Sequence, residues 1–308
     1  MAPTEVPQQD KNPLQNQNIL KWVFWNFEVT PMKRDSRNLT VQELCAQRAA
    51  ELMAETQANQ QRNEILCHWP EALRAIPTQV IRSALFGVVE KGSARRYNEQ
   101  TLIPSWKGVS IRYQGPLLSQ TDQHVWTTVI HQFRGKPLSE PLGLPRHALL
   151  QALGWNRSAR QYVQLEESLT RLVAGLINIE AGKDRYVGTL MVSFLRHGDT
   201  AHYHLKVNPE IAALFANNLT LLDPALRVRI RTDLGRWMLG YVQSHRTLAD
   251  KPHRIGLEQL QTLCGSRAGA WDFKYRLKKV MVDLEDHGVV AAWSWTKNGA
   301  LEFWRPAT

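Results

Sequence analysis

Two short strings decide the fold: Leu150-Gln-Ala-Leu153-Gly154 and Leu260-Gln-Thr-Leu263-Cys264-Gly265. Each puts two leucines three residues apart, as a helix needs to bury one side, and closes on a glycine. Glycine permits the positive φ that a tight helix-to-helix turn uses. Outward from each string the same order recurs. Residues 119–133 and 224–244 read as leading helices. The short helices are 145–153 and 256–263. Long basic helices follow over 157–174 and 268–286. Their inward stripes are Tyr162, Leu165, Leu169 and Leu172 in one, and Phe273, Leu277, Met281 and Leu284 in the other. A hairpin closes each section: 187–195 with 202–207, turning at Gly198-Asp199, and 289–296 with 300–304, turning at Asn298-Gly299. Strands are also expected at 108–114 and 176–180. Leading helix, short helix, tight turn, long helix and hairpin is the winged helix-turn-helix order. The expected class is therefore α+β, with tandem winged helix-turn-helix domains and a partly disordered N-terminal extension.

Composition agrees with this division. The 308 residues are 43% hydrophobic and 21% charged, which suits a globular chain with real cores. No apolar run approaches the roughly 18 residues of a membrane span. Net charge is +10. Residues 1–79 hold 8 basic and 9 acidic side chains, residues 80–217 hold 16 and 10, and residues 218–308 hold 14 and 9. The basic excess thus lies wholly beyond residue 79, where it would attract a polyanion such as nucleic acid. The expected parts are 1–79, an N-terminal extension and helix; 80–217, a first winged-helix domain; and 218–308, a second. Within the extension, residues 1–38 are rich in Gln, Asn and Pro, residues 40–66 read as a helix capped by Thr40, and Trp69-Pro70 with Pro77 marks a linker. Cys45, Cys67 and Cys264 are too few and too scattered for a disulfide framework or a four-thiolate zinc site, and they point to a reducing cytosol.

The outward faces of the two long helices carry the candidate chemistry. The first presents Arg157, Arg160, Gln161, Gln164, Ser168 and Arg171; the second presents Arg267, Trp271, Lys274 and Lys278. Arg and Gln make bidentate bonds to guanine and adenine edges. Arg227, Arg229 and Arg231 suit phosphate contacts, as do the hairpin tips with Lys183, Arg185, Arg196, His197, Lys297 and Asn298. Solvated helix faces also collect Lys and Arg, so these residues are candidates as units rather than singly. No P-loop, dinucleotide fingerprint, His-Glu-x-x-His or nucleophile elbow occurs. One enzyme-like pattern remains. His202 and His204 on a strand suit a metal, and Tyr275 suits the nucleophile of a rolling-circle nickase. Tyr275 falls within the second long helix, where a tyrosine more often packs.

Six strings, in this order, resemble the TrfA-type plasmid replication initiators: Trp69-Pro-Glu-Ala-Leu-Arg-Ala-Ile-Pro77 running on to Arg82-Ser-Ala-Leu-Phe86, Leu153-Gly-Trp155, Gln164-Leu-Glu-Glu-Ser-Leu-Thr-Arg-Leu172, Leu214-Phe-Ala216, Ser244-His-Arg246 and Leu263-Cys-Gly-Ser266. The resemblance runs from about Trp69 onward. It implies tandem winged helices on double-stranded DNA with repeated origin sites (iterons). It also implies ATP-independent opening of a nearby AT-rich region, and recruitment of the host initiator, replicative helicase and sliding clamp. Members carry a clamp-binding Gln-Leu-x-Leu-Phe peptide before the Trp-Pro string. Gln61-Arg-Asn-Glu-Ile-Leu66 holds that place without the Phe or the spacing. The leading reading is a non-enzymatic, cytoplasmic bacterial initiator that needs no cofactor or metal and is compatible with a monomer–dimer equilibrium. A winged-helix transcriptional repressor and the metal-dependent nickase are the alternatives.

Overall fold

A computed structural model describes residues 46–51, 53, 65–66, 68–89, 96–182, 184–196, 201–216, 218–245 and 251–306. The chain divides into two units, Met1–Ala54 and Glu55–Thr308. In the first, residues 46–51 and 53 are helical, within the helix expected over 40–66; its start lies outside the described residues.

The second unit runs β1 (Arg74–Pro77), α1 (Thr78–Ile81), β2 (Phe86–Gly87), β3 (Tyr97–Ile103), β4 (Val109–Pro116), β5 (Leu118–Ser119) and α2 (Gln120–Gln132). It continues with β6 (Leu142–Pro145), α3 (Arg146–Ala152), α4 (Ala159–Ala174), β7 (Leu176–Ala181), β8 (Asp184–Thr189), β9 (Ser193–Arg196), β10 (His202–Lys206), α5 (Ala212–Phe215) and β11 (Leu219–Leu222). Then come α6 (Pro224–Arg229), α7 (Asp233–Gln243), β12 (His253–Ile255), α8 (Leu257–Cys264), α9 (Ala270–Asp286), β13 (Ala292–Trp295) and β14 (Leu301–Trp304).

Two hydrophobic cores form. The first gathers side chains from Leu66 to Leu222 around α2, α4 and the four-stranded sheet β3-β4-β7-β8. The second gathers Ile230 to Phe303 around α7, α8 and α9 under the sheet β12-β14-β13. Helix α2 starts where its sequence dictates. Ser119 caps it, accepting from the Asp122 amide, while the Asp122 carboxylate accepts from the Ser119 amide at 2.8 Å. The helix has no solvent face: Gln120 and every residue from Asp122 to His131 are buried.

Three expectations fail. Trp69 and residues 74–77 belong to the core rather than to a linker. Trp69, Ala75 and Ile76 are buried, and β1 pairs antiparallel with β11, from Arg74↔Leu222 to Pro77↔Leu219. The helix expected over 224–244 is two helices. The chain leaves helical geometry at Ile230 (ψ 114°), and Thr232 caps α7 by accepting from the Gly235 amide at 3.0 Å. The strand expected over 187–195 is also two. Leu190 and Met191 both sink into the core, which breaks alternation. Strand β8 therefore joins β7, while β9 crosses to pair with β10. The Gly198-Asp199 turn lies outside the described residues.

The two cores meet along two seams. The Trp237 indole donates to the Ser83 carbonyl at 3.1 Å, and the Val88 amide donates to the Cys264 carbonyl at 2.8 Å. Farther along, Trp106 stands edge-on to His245, which lies 3.9 Å from His253, ring centre to ring centre. The Tyr241 hydroxyl bonds His253 Nε2 at 3.0 Å. Burial drives the His245 pKa down to about 3, with help from His253, and that of His253 to about 4, with help from Arg82. His124 falls to about 3, from burial and then from Arg227.

All three imidazoles are therefore neutral in the fold near pH 5, whereas an unfolded histidine takes its proton near about pH 6.5. Below that pH the unfolded chain binds more protons, so stability falls as pH drops from about 6.5 toward 4. Urea unfolding at about pH 7.5 and about pH 5 should give a lower midpoint at the acid pH. His253→Phe should reduce that difference without abolishing it, because His245 and His124 remain.

Candidate nucleic-acid interface

Helix α8 ends in the geometry its glycine permits. Gly265 sits at φ +70°, its amide donates to Thr262, and the Ser266 amide reaches back to Gln261 at 3.2 Å. This is the Schellman closure. Gly265 also lies against Ala84, where an added Cβ would come within 3.3 Å of the alanine's own. The turn aims α9 away from α8. Phe273, Leu277, Val280, Met281 and Leu284 anchor α9 to the core.

The opposite face of α9 is bare. Trp271 is 79% exposed and Tyr275 is 48% exposed, an unusual state for large aromatic rings. One turn apart, they stack at 5.7 Å with planes 3° from parallel. The Lys279 ammonium lies 4.4 Å over the Tyr275 ring, and Lys274 lies 5.1 Å over Trp295 on β13. Arg267, Lys274 and Lys278 are exposed along the same helix and its approach. Arg276 is held by Asp272 at 2.6 Å. The hairpin beside α9 turns at Gly299 (φ +74°) and leaves Lys297 and Asn298 exposed at its tip. Tyr275 does not pack inside, contrary to expectation. It belongs to an aromatic platform whose sequence signal was the four-residue spacing of Trp271 and Tyr275.

Helix α4 divides its expected residues. Arg157 and Arg160 are exposed, and Gln161 and Gln164 are half-buried. Ser168 and Arg171 face the core side instead. Both bond Asp122, Arg171 with Nη2 at 2.8 Å and Nε at 3.1 Å. Asp122 has no exposed side-chain surface, so Arg171 neutralises a buried carboxylate and is withdrawn from the interface.

Arg227 is corrected in the same way. It is only 4% exposed, and its Nη2 donates to the carbonyl and the side-chain oxygen of Gln120. Burial lowers its pKa to about 9. Arg229 and Arg231, by contrast, are exposed where the chain leaves α6. Of the expected first hairpin tip, Arg196 pairs with Glu166 at 3.1 Å, alongside Arg146 and the Tyr203 hydroxyl. Arg185 pairs with Glu180 at 3.2 Å. Lys183 and His197 lie outside the described residues. His202 and His204 lie on one exposed face of β10, and among the described residues no group of three or more His, Cys, Asp or Glu side chains is placed to hold a metal. Nor, among the described residues, is any helix long and apolar enough to cross a membrane.

Residues 36–301 match the TrfA protein family. The chain belongs to that family. A plasmid replication initiator protein TrfA of Escherichia coli is 30% identical over 207 residues, which cover 64% of this chain and 53% of that relative. This TrfA-family chain thus spans about half the length of the relative it matches. Two crystal structures of domains 2 and 3 of RctB are also similar. One has a TM-score of 0.49 at 12% identity, covering 76% of this chain and 99% of the other. The second has 0.45 at 11%, covering 70% and 93%.

Breaking the buried pair has a calculable cost. Arg171→Met removes the cation and leaves Asp122 charged and enclosed, which should destabilise the fold by about 3–5 kcal/mol in urea unfolding. Arg157→Ala, exposed just before the start of the same helix, should change stability by less than about 0.5 kcal/mol.

Proposed function

We propose that this chain is a plasmid replication initiator that binds repeated origin sites through two winged helix-turn-helix domains, residues 80–217 and 218–308. The observation that carries the reading is the bare face of α9. A helix held on one side by five apolar residues presents Trp271, Lys274 and Lys278 on the other, with Arg267 on its approach, beside a hairpin tipped by Lys297. A helix of this kind enters a major groove, and an adjoining hairpin tip reaches the flanking phosphates. Arg157 just before α4 and Arg160 in its first turn, with Gln164 behind them, supply a second reading surface. Arg229 and Arg231, exposed at and just beyond the end of α6 in the second section, suit the phosphate backbone. Family membership supports the same function.

Binding energy alone drives this mechanism. Lysines and arginines displace counterions, two different helices read two half-sites, and loading on adjacent repeats strains the duplex beside them. The host initiator and replicative helicase are the proposed partners, and the chain itself needs no nucleotide hydrolysis. Clamp recruitment through residues 61–66 has no support in the sequence, and most of that stretch lies outside the described residues.

Affinity for origin repeats should fall steeply with salt. With six to ten phosphates engaged, it should drop by about a thousand-fold or more between 50 and 200 mM. A nearly flat log–log plot of binding against salt would remove the DNA-binding reading. In a base-substitution scan, Arg157→Ala with Arg160→Ala should relax specificity in one half of the repeat. Lys274→Ala with Lys278→Ala should relax it in the other, about 10 bp away. Equal effects on both halves would refute the bipartite arrangement. Tyr275→Phe keeps the ring and removes the hydroxyl. It should preserve replication, whereas loss of activity with a folded protein would favour the nickase.

A further inference from the structure

A cleft of about 260 Å3 lies between α4 and the α6–α7 turn. Its walls carry Thr121, Trp155, Gln161, Gln164, Arg227 and Arg236, and no carboxylate lines it. Arg227 sits in this wall with no salt-bridge partner among the described residues. Among the described residues its hydrogen bonds are the two from Nη2 to Gln120, which is neutral. Nε and Nη1 make no hydrogen bond among the described residues, and Arg227 lines the cleft. Arg236 adds a second cation, held at 3.4 Å by Asp233, which stands outside the cleft. Buried beside Arg236, Arg227 feels that second cation more strongly than the Asp233 carboxylate, so positive charge dominates this wall of the cleft.

The remaining polar groups are also incomplete. His124 Nε2 lies 3.0 Å from the Leu153 carbonyl, so it must be the protonated nitrogen. Its Nδ1 is then a bare acceptor without a partner, and Gln161 Oε1 is another. Trp155 supplies a half-buried indole to the same cleft.

A duplex phosphate rides at the edge of a groove and meets side chains at the protein surface. Arg227 lies below that surface, so only a small body that enters the cleft can reach it. Two cations, a flat aromatic wall and amide groups are the chemistry that holds a nucleotide. We propose that this cleft binds a single nucleotide, either free or unstacked from a DNA strand, with its phosphate group against Arg227 and Arg236.

The full chain titrated calorimetrically with thymidine 5′-monophosphate at constant ionic strength should show saturable binding. Thymidine, which lacks the phosphate, should not bind. Gln161→Glu places a carboxylate in the same cleft while leaving Arg227 and the core intact. It should weaken binding by about tenfold or more, as expected for repulsion of a phosphate and loss of a charge-assisted bond. Arg227→Met should abolish binding, and its thermal midpoint reports whether the fold survives. A single-stranded oligothymidylate that competes with the mononucleotide identifies a DNA strand as the source; failure to compete identifies a free nucleotide. No saturable binding, equal binding of thymidine, or wild-type affinity in folded Gln161→Glu would overturn the proposal. No duplex enters the test, so its outcome is separate from duplex binding.

Discussion

The first core is organised around one carboxylate. Asp122 has no exposed side-chain surface, yet it accepts bonds from the Ser119 amide and hydroxyl, the Ser168 hydroxyl and two nitrogens of Arg171. An ionised carboxylate in that position is tolerated only when its charge is opposed and its lone pairs are filled. The two requirements together start α2 at Ser119 and set the rotation of α4 upon it. With α4 so rotated, Arg157 and Arg160 are left outside, Gln161 and Gln164 line a cleft, and Leu165, Leu169 and Leu172 are turned inward. Everything α4 offers to a partner follows from the pair that holds its far end.

The same logic separates the arginines of the 227–231 stretch. In one helix continuing through 244, Arg227 and Arg231 would share a face, with Arg229 on the opposite side. The chain instead breaks at Ile230, whose side chain is buried, and restarts under the Thr232 cap. Gly235 lets the restart come close: an added Cβ would lie 2.6 Å from Ile230 Cγ2. Within α6 the two-residue spacing turns Arg227 inward to Gln120 and Arg229 outward, and the break leaves Arg231 outside as well. Three arginines of equal chemistry thereby acquire two different environments within five residues.

In the second core the roles are simpler. The turn at Gly265 and the apolar stripe of α9 hold one helix rigidly by one side. Its other side keeps two stacked aromatic rings in water, at a cost that burial elsewhere must offset. Lys279 over Tyr275 and Lys274 over Trp295 make that surface positive without an acidic partner for either lysine in the contacts of the described residues. A preformed, basic, aromatic face costs little entropy when it meets a partner.

Local signals were enough to determine much of this from sequence alone. The glycines at 154, 265 and 299 and the three- and four-residue leucine spacings act within a few residues of one another. The elements they specify stand close to where the sequence puts them. The exposed face of α9 was legible for the same reason, because a long amphipathic helix leaves its second face no choice. Tertiary structure decided whatever depends on a partner distant in sequence. Strand β1 lies in what reads as a proline-marked linker, because its partner β11 is more than a hundred residues away. Leu190 and Met191 end a strand because a core waits beneath both. Arg171 and Arg227 look like surface arginines until Asp122 and Gln120 stand opposite them. A side chain's charge is written in the sequence; whether it meets water or a buried counterpart is fixed only when the chain closes on itself.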